Sequence, residues 1–282
     1  MLVDDAECVA LLRWALPRLR LRWEGFRRVR RQVCRRVARR MRELGVANAA
    51  AYRARLESDP TEWQRLDAMC RITISRCFRD RSVFATLETR VLPALAARAR
   101  AAGRATLRAW CAGCASGEEV YSLAALWTSR LAPRWPELRL AIVATDFDPE
   151  LLDRARRGSF RVSSLREVPA EVLPEAFLPH EQGYVVSEAI REGIEFRCQD
   201  LREETPEGAF DLILCRNLAF TYFAVELQRE ALARLLDHLQ PGGALVVGLH
   251  ESLPGPTSDL TPWLGARAVF EHAVRAGRGV PG

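Results

Sequence analysis

The chain has 282 residues, 49% hydrophobic and 28% charged, enough apolar material for a sizeable core, which excludes disorder or a fibrous repeat as a description of the whole. No run of about 20 apolar residues occurs, so no transmembrane helix is expected, and Asp4, Asp5 and Glu7 stand where a signal peptide needs positive charge, so the protein is expected to be cytoplasmic. Every one of the 42 basic residues is arginine, which excludes lysine Schiff-base chemistry and a Gly-Lys phosphate loop.

Residues 1–92 read as a helical, Arg-rich amino-terminal domain. Positions 18–42 hold twelve Arg against the single acid Glu24, a net +11 that leaves −5 for the rest of a chain whose total is +6. Within WEGFRRVRRQVCRRVARRMRELG, steps of three or four place Phe26, Val29, Val33, Val37, Met41 and Leu44 on one helical face. Arg27, Arg28, Arg30, Arg31, Arg35, Arg36, Arg39, Arg40 and Arg42 cover much of the remainder, and Gly45 is placed to end the helix. Two shorter helices follow, broken at Ser58-Asp59-Pro60, with Asp59 or Thr61 as the cap of the second.

Residues 93–282 read as an α/β domain. ATLRAWCAG, LRLAIVATD, FDLILCRN and GGALVVGLH are apolar runs with β-branched residues and turn punctuation, each the pattern of a buried strand. EEVYSLAALWTSRLA, PELLDRARRG and VELQREALARLLDHL separate them as helices. Strands alternating with helices predict a Rossmann-like parallel sheet, whose ligands bind at the carboxyl ends of the strands. Residues 160–198 break the alternation and are expected to form a small antiparallel β insertion. The eight scattered cysteines are expected to be buried thiols, with no disulfide framework and, for Cys111-x-x-Cys114, no metal site.

The first strand runs into Ala112-Gly113-Cys114-Ala115-Ser116-Gly117-Glu118-Glu119. Gly113 and Gly117 permit a tight turn and a close approach of backbone to ligand, but the spacing is not that of a dinucleotide fingerprint. The second strand ends in Asp146, placed to accept hydrogen bonds from ribose hydroxyls. Acids at the loop and no diphosphate cradle favour a cationic nucleoside, and S-adenosylmethionine, with its ribose, amine and sulfonium, fits.

WCAGCASGEEVYSLA, ATDFDPELLDRARRGSF, FRCQDL, FDLILCRNLAFTYF and LQPGGALVVGLHESL, together with the Arg-rich helix and ITISRCFRD, resemble the chemotaxis receptor methyltransferases, the CheR family, over residues 20–270. The resemblance implies methyl transfer from S-adenosylmethionine to glutamate carboxylates of a chemoreceptor coiled coil, giving methyl esters. It implies cofactor binding by Thr73, Ser75, Arg79, Gly113, Gly117, Glu118, Glu119, Asp146, Asp200, Leu201, Asn217 and Leu218. Glu118 or Glu119 would hold the methionine end or the loop, Asp146 the ribose, and Asp200-Leu201 the adenine. Arg79 and Tyr222 would be the catalytic residues, beside the methyl donor. The departures lie at Thr73-Ile74-Ser75, Cys77-Phe78, Asp200-Leu201, Gly248-Leu249-His250-Glu251 and RNLAFTYF, which is one residue longer than the family pattern. They bear on the choice of methyl acceptor more than on cofactor binding.

A glutamate carboxylate, with an ordinary pKa of about 4.3, is ionised at neutral pH and needs no general base, so neither triad nor metal is expected. The basic segment predicts an acidic protein partner, docked on Arg27, Arg28, Arg31, Arg35 and Arg39. Nucleic acid is the rival, disfavoured because only Trp23 and Phe26 are at hand for stacking. Methylation of another protein, of nucleic acid or of a small carboxylic acid, and a cofactor-binding signalling module without receptor methylation, are the alternatives.

Overall fold

The computed structural model describes residues 5–73, 75–181 and 183–273. The chain divides into two compact units, one of residues up to Thr73 with Thr221–Gln228, the other of Ile74–Phe220 and the residues from Arg229 onward. The division falls at 73/74 and not at the expected 92, because 92 lies inside an unbroken helical run: α6 (Arg81–Thr86) passes through a wide turn, Leu87–Val91, into α7 (Leu92–Ala101). The wide turn at Leu87–Val91 lies just before Pro93, which has no N–H to give the run, and the helix continues through it.

The first unit is all helical, with α1 (Asp5–Ala15), α2 (Trp23–Phe26), α3 (Arg30–Glu43), α4 (Ala49–Ser58) and α5 (Pro60–Cys70). Its core holds Leu11, Leu12, Leu16, Phe26, Val33, Val37, Met41, Tyr52, Leu56 and Leu66. The expected single helix over 23–44 is broken at 27–29, leaving Val29 and Leu44 half-buried. The break has a cause in the same unit. Leu21 bridges Phe223, Arg22 donates its backbone N–H to the Tyr222 carbonyl at 2.9 Å, and Phe26 packs on Tyr222 with ring centroids 5.0 Å apart. These contacts tie α2 and the residues before it to Tyr222 and Phe223, partners that α3 does not share. Gly45 (φ 69°) closes α3, with the Val46 N–H on the Met41 carbonyl at 3.0 Å, and the Asp59 carboxylate caps α5 through the Thr61 N–H at 2.9 Å.

The expectation of thiols alone is overturned here. Cys8 of α1 and Cys34 of α3 form a disulfide, S–S 2.06 Å. Packing of α1 on α3 brings together two cysteines 26 positions apart, a pairing that sequence spacing does not disclose. The other six cysteines are free thiols, and of these only Cys198 is exposed.

The second unit carries β1 (Thr106–Ala112), α8 (Glu118–Leu126), β2 (Arg139–Asp146) and α9 (Pro149–Arg157). Next come β3 (Ser159–Phe160), α10 (Leu173–Ala176), β4 (Phe177–His180), β5 (Gly183–Val186) and α11 (Glu188–Arg191). The unit continues with β6 (Ile194–Cys198) and β7 (Phe210–Cys215), and closes with β8 (Leu239–Val247), β9 (Leu260–Pro262) and β10 (Val269–His272). Two helices, α12 (Ala219–Tyr222) and α13 (Val225–Asp237), run across the division of the chain.

The main sheet has the order β6-β2-β1-β7-β8-β10-β9. Its first five strands are parallel, and β10 and β9 add antiparallel. The order reverses between β1 and β7: the chain winds outward through β2 to β6, then returns to the middle. Such a switch point opens a crevice at the carboxyl ends of the strands. The four strands read from apolar runs are β1, β2, β7 and β8. The antiparallel insertion is β3-β5-β4 and ends at 186. The stretch Ile194–Cys198, expected inside it, is instead the parallel edge strand beside β2. Its half-exposed face lacks the continuous apolar run that marks the buried strands.

Candidate functional site

The crevice at the β1/β7 switch point is lined by the predicted loop. Gly113 has φ 77°, a conformation that glycine adopts freely, and a Cβ there would lie 2.4 Å from Leu218 Cδ2, so that a side chain at 113 would push Leu218 aside. Gly117 has φ 89°, and its missing Cβ makes room for Tyr121 and Ala155. Between them Ala115, a residue with a side chain, is held at φ 48°. What holds it is Asp146. That carboxylate, 8% exposed at the end of β2, accepts the Ala115 N–H at 2.9 Å and the Asp148 N–H at 3.0 Å. Gly113 and Cys114 both donate to the Thr145 carbonyl, at 2.8 and 2.9 Å. Sequence reasoning gave Asp146 a ligand role only; it also fastens the loop.

The two acids after the loop differ. Glu118 is buried and accepts from Ser116 Oγ at 2.9 Å. Glu119 pairs with Arg216 at 2.7 Å, and burial pushes its carboxyl above the usual range against the opposing pull of that guanidinium. Arg216 follows β7, and its side chain is 2% exposed. It also reaches Asp80 at 2.8 Å and the Arg79 carbonyl at 2.9 Å. Arg216 and Asp80 were given no role from sequence, although both lie in blocks that carry the resemblance, FDLILCRNLAFTYF and ITISRCFRD.

Asn217 stands at φ 56°, with its N–H on Glu251 Oε2 at 2.8 Å; the same oxygen accepts the Gly248 N–H at 2.6 Å. Glu251 therefore ties the end of β7 to the end of β8, a third residue without a predicted role. Asp200, two residues past β6, is paired with Arg202 at 2.7 Å, and Leu201 beside it is buried. Ser75 is half-buried, and the segment after it is anchored by the Phe78 N–H on Ser122 Oγ at 2.7 Å. Phe78 (φ 55°) and Asp80 (φ 62°) flank Arg79 in left-handed backbone. Of the five described side-chain-bearing residues with positive φ, Phe78, Asp80, Ala115 and Asn217 all lie at these segments, and strain of about 1–3 kcal/mol each concentrates where a structure serves a ligand.

Ser75, Arg79, Gly113, Gly117, Glu118, Glu119, Asp146, Asp200, Leu201, Asn217 and Leu218 all belong to one unit, at or after strand ends, at the start of α8 or on the segment leading into α6. Thr73 and Tyr222 belong to the other unit, and Ile74 lies outside the described residues. Acidic and amide side chains dominate the set, with Arg79 the lone predicted cation. That donor set fits a molecule with a ribose, an amine and a sulfonium, and has no basic cradle for a diphosphate. Cys111 and Cys114 beside it are buried, their thiols pushed well up by burial, which leaves them poor nucleophiles.

In the first unit Arg27, Arg28, Arg31, Arg35 and Arg39 are exposed. Arg27 and Arg39 stand 3.9 and 3.8 Å from Glu24 and Glu43, pairs too exposed to bind strongly. Arg30, Arg36 and Arg40 are engaged within the unit, by Asp5, by the Met69 and Arg71 carbonyls, and by Glu62. The buried Glu62 takes two bonds from Arg40 (3.0 and 2.8 Å) and one from the Tyr52 hydroxyl at 2.8 Å.

Comparison with known proteins agrees with this geometry. The CheR methyltransferase SAM binding domain matches residues 73–268, and the CheR methyltransferase all-alpha domain matches residues 29–67. A chemotaxis protein methyltransferase of Listeria innocua is 33% identical over 71% of this chain and 73% of its own length. That of Escherichia coli is 32% identical over 79% of this chain and 77% of its own. An uncharacterised 104.1 kDa protein of Rhodobacter capsulatus is 36% identical over 87% of this chain, which spans a quarter (25%) of that relative's length. The chain belongs to the CheR family of S-adenosylmethionine-dependent methyltransferases.

Proposed function

We propose that this protein methylates glutamate carboxylates of a chemoreceptor or a similar signalling protein, forming glutamate methyl esters. The observation that carries the reading is the loop at the switch point, fastened to Asp146 and packed without side chains at Gly113 and Gly117. S-adenosylmethionine, when bound, supplies a methyl group activated by a sulfonium leaving group. Gly113, Gly117, Glu118, Glu119 and Asp146 would hold it with Asp200, Leu201, Asn217 and Leu218, joined by Ser75 and Arg79. Thr73 and Tyr222 take their parts from the family resemblance alone.

The acceptor carboxylate is already a nucleophile at neutral pH, so the side chains have no proton to remove. Their work is alignment and exclusion of water. Arg79 presents a planar guanidinium suited to a carboxylate, of the cofactor or of the acceptor. The exposed arginines of α3 and the turn before it offer positive charge to an acidic partner, which fits a glutamate-rich receptor coiled coil.

The test is incubation of the protein with methyl-labelled S-adenosylmethionine and a chemoreceptor cytoplasmic fragment, followed by alkali. Volatile methanol is expected, because carboxyl esters hydrolyse there. Label that stays on the protein through alkali, or label appearing on small carboxylic acids in place of protein, overturns the reading.

A further inference from the structure

We infer that Arg216 is a positioning residue that sets the Arg79 side chain for the methyl-transfer site; the inference rests on the function proposed above. Its guanidinium joins two segments to the end of β7. Nη1 donates to Glu119 Oε2 at 2.7 Å, at the start of α8. Nη2 donates to Asp80 Oδ2 at 2.8 Å and to the Arg79 carbonyl at 2.9 Å. Its Nε is buried and finds no hydrogen-bond partner among the described residues, and the guanidinium carbon lies 5.6 Å from the centre of the Phe84 ring.

A buried ion pair is weak ground for stability alone, since desolvation cancels much of the attraction. Holding β7 to α8 would need no more than a pair of apolar side chains. What apolar packing does not supply is the bond to the Arg79 carbonyl. Arg79 sits between Phe78 and Asp80, both in left-handed backbone. The Asp80 carbonyl starts α6 by accepting the Val83 N–H at 2.8 Å, and the Phe78 N–H is fixed on Ser122. With its carbonyl and both neighbours clamped, residue 79 has one backbone course, and its side chain leaves the chain in one direction. Arg216 is the group that bonds both Asp80 and residue 79 itself. Lysine keeps the charge but has one nitrogen, and does not span two carboxylates and a carbonyl in this planar arrangement.

The test is a double-mutant cycle between Arg216→Lys and Arg79→Ala, read in S-adenosylhomocysteine affinity by calorimetry and in single-turnover methyl transfer, with thermal melts of all four proteins. If Arg216 acts through Arg79, Arg216→Lys lowers affinity or rate about tenfold in the parent and less than about twofold when Arg79 is already Ala. Asp80→Asn, which weakens one arm of the clamp by taking away its charge at a partly exposed site, gives the same non-additive pattern at smaller amplitude. It carries the cycle if Arg216→Lys shows no cooperative melt. Equal losses in both backgrounds mean a general structural role and overturn the inference, as does an unaffected Arg216→Lys protein. A parent that binds cofactor but methylates no acidic protein sinks the proposed function, and the cycle is then decided by affinity.

Discussion

The Asp146 carboxylate accepts the backbone N–H of Ala115 at 2.9 Å, across 31 positions of sequence. One acid at the end of β2 thereby fixes the shape of the loop after β1, and Ala115 keeps an unfavourable φ of 48° because that bond is there. Asp146→Ala removes the loop bond and, with it, the proposed ribose acceptor. Hydrogen bonds to a charged group are worth about 1.5–3 kcal/mol each, so S-adenosylhomocysteine affinity should fall by a factor of about 30 or more in calorimetry. Asp146→Asn can still offer a carbonyl oxygen to Ala115 and should lose less. Parent affinity in the Ala variant would remove Asp146 from the site.

Glu62 is a buried acid held by its neighbours. The Arg40 hydrogen bonds, helped by the Tyr52 hydroxyl, hold its carboxyl below the usual range in the folded protein. A depressed folded pKa means that the ionised form stabilises the fold. That contribution is complete above the unfolded value, about 4.3, and is lost as pH falls through the lower folded value. Glu62→Gln should therefore melt well below the parent at pH 7, and the gap should close as pH falls below about 4. A gap independent of pH would show that the ion pair is not its source.

The Cys8–Cys34 bond closes a loop of sequence separation 26. Chain-entropy estimates give about 3 kcal/mol for a loop of that size. Thermal melts with and without a thiol reductant should differ accordingly, and the Cys8→Ser, Cys34→Ser double variant should match the reduced protein in either condition. Melts insensitive to reductant, with two alkylatable thiols at these positions in the unreduced protein unfolded in denaturant, would mean that the bond does not form.

What the sequence disclosed, and what it hid, follows from the range of each interaction. β1, β2, β7 and β8 are buried on both faces, so apolar runs betray them; β6 is half-exposed at the sheet edge and looked like part of the insertion. Gly113, Gly117 and Asp146 were legible because a strand-to-helix turn and an acid at the next strand end are local patterns. Arg216 was not, being one of 42 arginines: only the fold shows that it is buried against Glu119 and Asp80. The Cys8–Cys34 bond and the break at 27–29 likewise depend on partners far away in sequence.

The basic surface separates a protein acceptor from a small one. Arg31, Arg35 and Arg39 are exposed, while Val33, Val37 and Met41 of the same helix face the core of the unit. The Arg35 Nε donates to the Arg31 carbonyl of its own helix, and Arg39 stands 3.8 Å from Glu43; neither contact holds another element in place. Changing all three to Glu should therefore leave the fold and cofactor affinity intact. A small carboxylic acid gains little from so wide a field, whereas an acidic helix gains encounter rate and orientation. The triple variant should raise KM for a protein acceptor at least about tenfold, by loss and reversal of complementary charge. Parent activity should also fall with added salt, because exposed charges are screened beyond about 10 Å at 0.1 M. If the variant folds, binds cofactor and methylates at the parent rate in low salt, these arginines do not dock the substrate, and a small-molecule acceptor takes the lead.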